Sequence, residues 1–131
     1  MKYLCLLHYD VAKFDTLAPA DLEAIGKDCK PHDEALRRSG QVVAQGSLEH
    51  RTAMTIRPRG GKPETSDGAI AATVGAFLII EARDLNDAVR VASLHPAART
   101  GEHLGWAVEV RPLDACRVGG TTAALFEQPS P

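Results

Sequence analysis

The chain has 131 residues, 44% of them hydrophobic and 24% charged, with a formal net charge of −2. That length suits one domain, able to bury roughly 70% of the surface its unfolded chain exposes. The near balance of charge leaves no electrostatic footprint for a nucleic acid or an anionic membrane surface.

Cys5, Cys29 and Cys116 are widely spaced and form no C-x-x-C pair. An odd count without metal spacing fits a reducing compartment better than a disulfide framework, so a cytoplasmic protein is expected. The apolar run Tyr3 to Leu7 is too short for a signal-peptide core or a membrane span. It reads instead as a first strand, Lys2 to Tyr9, apolar on both faces and therefore central in a sheet. Val11 to Leu17 is a connection, with Asp10 and Asp15 available for turns.

A helix is expected to start at Pro19, whose fixed φ suits the first helical position, and to end at Gly40. Its apolar stripe is Leu22, Ile25, Cys29, His32 and Leu36. Pro31 cannot donate to the carbonyl of Lys27, so either one helix kinks there or two shorter helices meet before His32. Gln41 to Ser47 is a short strand. Thr52 to Arg57 and Lys62 to Thr65 flank Gly60-Gly61, a two-residue hairpin turn, and the basic residues around it mark an exposed arm.

Ser66-Asp67-Gly68 reads as a turn that feeds the most strand-like stretch, Ala76 to Ala82. Phe77 and Ile79 lie on one face of it and Leu78 and Ile80 on the other, so it too is central. Asp84 caps a second helix with the stripe Leu85, Ala88 and Ala92, and Pro96 stops it just after His95. The last strand, Trp106 to Arg111, alternates as an edge strand does. From Asp114 to Pro131 the pattern is lost in a tail, in which Ala123 to Phe126 is apolar enough to dock on a partner subunit.

This order suggests an α+β domain over residues 1–113, a ferredoxin-like split βαβ with an extra β-hairpin. Strands one and three are expected as central, parallel neighbours, with both helices on one face. The opposite face is apolar too, so a homodimer joined through the sheet faces is expected.

On that topology His32, His95 and Asp67 gather at one end of the sheet, and His8 lies at the other. A carboxylate beside an imidazole fixes its tautomer and can raise its pKa, which is what a general acid or base needs. The same residues also have purely structural roles open to them. His32 can be a core histidine, His95 a cation at a helix C-terminus, and Asp67 a turn residue. Five histidines without an H-x-x-x-H pair give no metal site, and no glycine loop or nucleophile elbow points to a cofactor or a nucleophilic serine.

Several stretches resemble the YCII-related family, and specifically its subgroup named for an Asp-Gly-Pro-Phe motif. They are Met-Lys-Tyr-Leu-Cys-Leu-Leu at the start, Ser66-Asp67-Gly68, Glu81-Ala82-Arg83-Asp84 and Glu109-Val110-Arg111-Pro112. The resemblance implies a dimeric ferredoxin-like fold with a His/Asp pocket regarded as an acid–base site, and His32 sits where the family's helix histidine falls. Asp67-Gly68 is followed by Ala69-Ile70 and not by Pro-Phe. The partner of His32 is therefore open between Asp67 and Glu49. Two functions stay in view: binding of a small organic ligand in a regulatory or accessory role, with His95 and Glu49 as binding residues, or lyase- or isomerase-type chemistry with His32 and Asp67 as the catalytic pair.

Overall fold

The computed structural model describes residues 1–49 and 51–115. Cys116 and the expected docking segment Ala123 to Phe126 lie outside the described residues. The elements run β1 (Lys2–His8), α1 (Val11–Asp15), α2 (Pro19–Arg38), β2 (Val42–Ser47), β3 (Met54–Arg59), β4 (Lys62–Asp67), β5 (Val74–Glu81), α3 (Leu85–Ala92) and β6 (Ala107–Pro112). Single 3-10 turns at Pro96–Ala98 and Glu102–Leu104 join α3 to β6.

The main sheet has the order β2-β5-β1-β6, as a split βαβ domain requires, with β3 and β4 forming a separate hairpin. β1 and β5 are the central pair, as their doubly apolar sequences predict, but they run antiparallel, with Tyr3 opposite Ile80 and Cys5 opposite Leu78. The expected parallel pairing is thus corrected. In a split βαβ unit the hairpin between the halves reverses the chain, so β5 returns against β1 and every ladder of this sheet is antiparallel.

Alternation then sorts the side chains. Tyr3, Cys5, Leu78 and Ile80 face the helices and form one buried core with Leu36 of α2 and with Ala88, Val91 and Ala92 of α3. Leu4, Leu6, Phe77 and Ile79 share the other face and are only half-buried. β6 keeps Val108 and Val110 on the core side and exposes Glu109 and Arg111.

α2 is one helix that continues through Pro31, with Pro19 in its first turn and the Asp21 carboxylate accepting from the Ala18 N–H at 3.0 Å. Only Leu36 of its apolar stripe is fully buried, and Leu22 is 42% exposed. The N-terminal part of α2 therefore stands off the sheet. On α3 the buried face is Asp87, Ala88, Val91 and Ala92, so the expected stripe position Leu85 points outward. The hairpin turns at Gly60-Gly61 with φ of 59° and 80°, a pair of positive values that glycine alone accepts freely. Asp67 belongs to β4, where it pairs with Met54, and the reversal expected at Ser66-Asp67-Gly68 falls at Gly68 and beyond.

Candidate functional site

Antiparallel order brings the C-terminal ends of β1, β2 and α3 to the same end of the sheet as the N-terminal ends of β5 and β6. A cleft of about 380 Å³ opens there, roofed by Cys29 and Asp33 of α2. It exists because α2 makes its close packing at Leu36 and leaves the sheet before reaching this end.

Three aromatic rings wall the cleft. Tyr9 and Phe14 meet edge to face, with centroids 5.5 Å apart and planes at 85°. The Tyr9 ring lies against the backbone of Gly75, and the Trp106 ring against that of Gly101. A Cβ at either glycine would overlap the ring, so the two positions hold the walls in place. Phe14 comes from α1, a five-residue helix that begins where the Asp10 carboxylate accepts from the N–H groups of Ala12 and Lys13.

His95 ends the α3 segment and caps the 3-10 turn behind it. Its Nδ1 accepts from the Ala97 N–H at 2.9 Å, which assigns its proton to Nε2 and makes the ring neutral. Burial lowers its pKa, opposed by the Asp33 carboxylate. A protonated ring would carry hydrogens on both nitrogens and lose the cap, so His95 is built to donate from Nε2. The role of cationic cap at the C-terminus of α3 is thereby corrected, since the imidazole serves as an N-terminal acceptor. Burial also raises the pKa of Cys29, against a hydrogen bond with Thr100 that lowers it, so the sulfur stays a thiol near neutral pH.

His8 differs from His95. Its Nε2 lies 2.9 Å from Glu109 Oε1 and its Nδ1 2.8 Å from Thr73 Oγ1. A hydroxyl can donate to Nδ1 or accept from it, so the Thr73 contact does not fix the tautomer of the His8 ring. Burial, with the Asp15 and Glu49 carboxylates adding to it, raises the pKa of the Tyr9 phenol.

The expected gathering of His32, His95 and Asp67 does not form. His95 lines the cleft, but neither His32 nor Asp67 is among the described lining residues. His32 is half-buried one turn beyond Cys29, and Asp67 is exposed on the hairpin. Among the described residues neither side chain makes a hydrogen bond or an ion pair. Glu49 follows the lining residue Leu48 and accepts from the Arg51 N–H at 2.9 Å.

Sequence reasoning missed His8, Asp33 and the aromatic walls. Parallel pairing would put His8 at the far end; the antiparallel central pair places the end of β1 beside the start of β5. Asp33 is adjacent to His32, and neighbours on a helix diverge, so one faces the cleft where the other does not. Among the described residues no group of three His, Cys, Asp or Glu side chains could hold a metal ion.

The YCII-related domain family matches residues 1–113. The chain belongs to the YCII-related family. Its family stretches now have physical roles: in this YCII-related chain Glu81 binds Lys2 and the N-terminal ammonium, Asp84 caps α3, and Arg83 pairs with Asp87. No curated protein matches the chain. Among solved structures it is similar to the 5-chloro-2-hydroxyhydroquinone dehydrochlorinase TftG of Burkholderia phenoliruptrix AC1100, in complex with 2,5-dihydroxybenzoquinone. The identity is 16% and the TM-score 0.45, over 89% of this chain and 97% of the other. That likeness is too loose to carry a ligand or a residue role across.

Proposed function

We propose that this YCII-related protein binds a small organic molecule in the aromatic cleft, in an accessory or regulatory role. Asp67-Gly68-Ala69-Ile70 stands as a degenerate form of the Asp-Gly-Pro-Phe motif. The observation that carries the reading is the cleft itself: about 380 Å³, with walls set by Tyr9 on Gly75 and Trp106 on Gly101. Small-molecule sites span roughly 300–1,000 Å³ and are mostly apolar with a few fixed polar groups. Here the inner polar groups, a neutral His95 and a protonated Cys29, are hydrogen-bonding groups and not proton carriers.

Among the described residues no helix is long and apolar enough to cross a membrane. Cys5 and Cys29 are free thiols, in keeping with a cytoplasmic protein. The test is a metabolite panel read by thermal shift. A ligand at a hundred times its dissociation constant adds about 2.7 kcal/mol, several degrees at this size. Trp106, the chain's one tryptophan, reports from within the cleft through its emission. A broad panel that moves neither signal overturns the proposal.

His8 favours a second reading, acid–base chemistry on the helix-free side of the same sheet end, because its ring lies between Glu109 and Thr73. If a panel compound is turned over, His8→Gln should lower kcat by about 10²-fold or more. An unchanged kcat would exclude His8 from the chemistry.

A further inference from the structure

The polar groups of the cleft narrow the choice of ligand, on the premise that the cleft is a ligand site. Among the described residues that line it there is no Lys or Arg, and its one carboxylate is Asp33. Asp33 makes no side-chain hydrogen bond or ion pair among the described residues, yet its field reaches His95 and Cys29. The carboxylates of Asp15 and Glu49 add negative potential at Tyr9. An anion entering the cleft would meet the Asp33 carboxylate and no lining cation. A cation would meet the Asp33 carboxylate, which attracts it by Coulomb's law, in a cleft walled by three aromatic rings. With Nδ1 committed to Ala97, the polar atom left to His95 is Nε2–H, a donor suited to a hydroxyl or carbonyl oxygen.

We infer that the cleft selects a small aromatic amine, its ammonium on Asp33, its ring among Tyr9, Phe14 and Trp106, and an oxygen acceptor at His95. Charge is the discriminating property, and it separates compounds of the same shape. Tyramine, 4-ethylphenol and 4-hydroxyphenylacetate share one hydroxyphenyl frame and carry a positive, no and a negative charge.

The experiment measures all three by calorimetry against the full chain and its Asp33→Asn variant, with Trp106 emission excited at its red edge to place binding in the cleft. Tyramine should bind about tenfold more tightly than 4-ethylphenol, and 4-hydroxyphenylacetate more weakly than either, as expected for one charge-assisted hydrogen bond. Asp33→Asn should reduce tyramine affinity about tenfold and leave 4-ethylphenol within about threefold. Asp33 is exposed on α2, so the variant is expected to fold, and thermal unfolding checks it. Equal binding of 4-ethylphenol and tyramine, tighter binding of the acid, or tyramine binding that ignores Asp33→Asn overturns the charge selection while leaving the cleft as a site. Silence from all three compounds, together with a silent metabolite panel, overturns the cleft reading itself.

Discussion

His95 shows how one hydrogen bond settles what a titratable residue can do. Its Nδ1 is occupied by the Ala97 N–H, and burial favours the neutral ring. The folded pKa therefore lies below the unfolded value of about 6.5. Above that value both states carry a neutral ring and His95 adds no pH dependence. As pH falls below about 6.5 the unfolded chain takes up the proton first, so stability drops toward the folded pKa and then levels. His95→Asn keeps an acceptor for the cap and removes the titration. Urea unfolding between neutral and mildly acidic pH should show a steeper loss for the native chain than for His95→Asn, and equal slopes would exclude the assignment. Gly101 makes a second residue-scale test, because a Cβ there meets the Trp106 ring at a φ of 71°. Gly101→Ala should cost about 1–3 kcal/mol and change Trp106 emission. A variant as stable as the native chain would mean that the wall is not fixed by this contact.

At the scale of elements, the α3 N-terminus is an ion-pair hub rather than a simple cap. Asp87 is nearly buried and accepts from the Arg83 N–H at 3.1 Å, from Arg90 Nε at 3.0 Å and from Arg90 Nη2 at 2.9 Å. Gln41, just before β2, bonds the Glu81 carbonyl at 2.9 Å and receives Arg90 at 3.0 Å, so the hub joins α3 to two strands. The Arg83 N–H, the Arg83 guanidinium and Arg90 hold the Asp87 carboxyl far below the usual carboxylate range. The stability it contributes is full above the unfolded value of about 3.9 and is lost as pH falls below it. Asp87→Asn should lower stability at neutral pH and flatten the acid limb of a pH–stability curve. An acid limb that coincides with that of the native chain would refute the hub. In the sequence Asp87 was legible only as an acid in a first helical turn, since its partners Gln41 and Arg90 are fixed by packing that periodicity does not reveal. Strand faces were legible because alternation reports burial directly, as in Val108 and Val110 against Glu109 and Arg111. Strand direction was not, and that single error moved His8 away from the cleft. α1 was missed because five residues are too short for a helical period to register.

At the scale of the whole molecule, two apolar surfaces have no layer over them among the described residues. One is the helix-free sheet face of Leu4, Leu6, Phe77 and Ile79. The other is one side of the hairpin, where Met54 is 58% and Ile56 63% exposed beside Pro58 and Pro63. A two-stranded hairpin is marginal alone, and a stable interface buries roughly 1,200–2,000 Å². The exposed hairpin side adds apolar area to the sheet face, so a sheet-face homodimer is expected to recruit the hairpin as well. Light scattering at micromolar concentration should then give twice the 14.0 kDa chain mass. Leu6→Lys with Ile79→Lys should give the single-chain mass with an unchanged circular dichroism spectrum, because both positions lie outside the helix-facing core. Ile56→Lys separates the contribution of the arm. If the hairpin joins the interface, that exposed substitution weakens dimerisation about tenfold or more while leaving the unfolding of the isolated chain unchanged, the loss expected of one interface anchor. A native chain of single mass would end the dimer proposal. A dimer indifferent to Ile56→Lys would confine it to the sheet face.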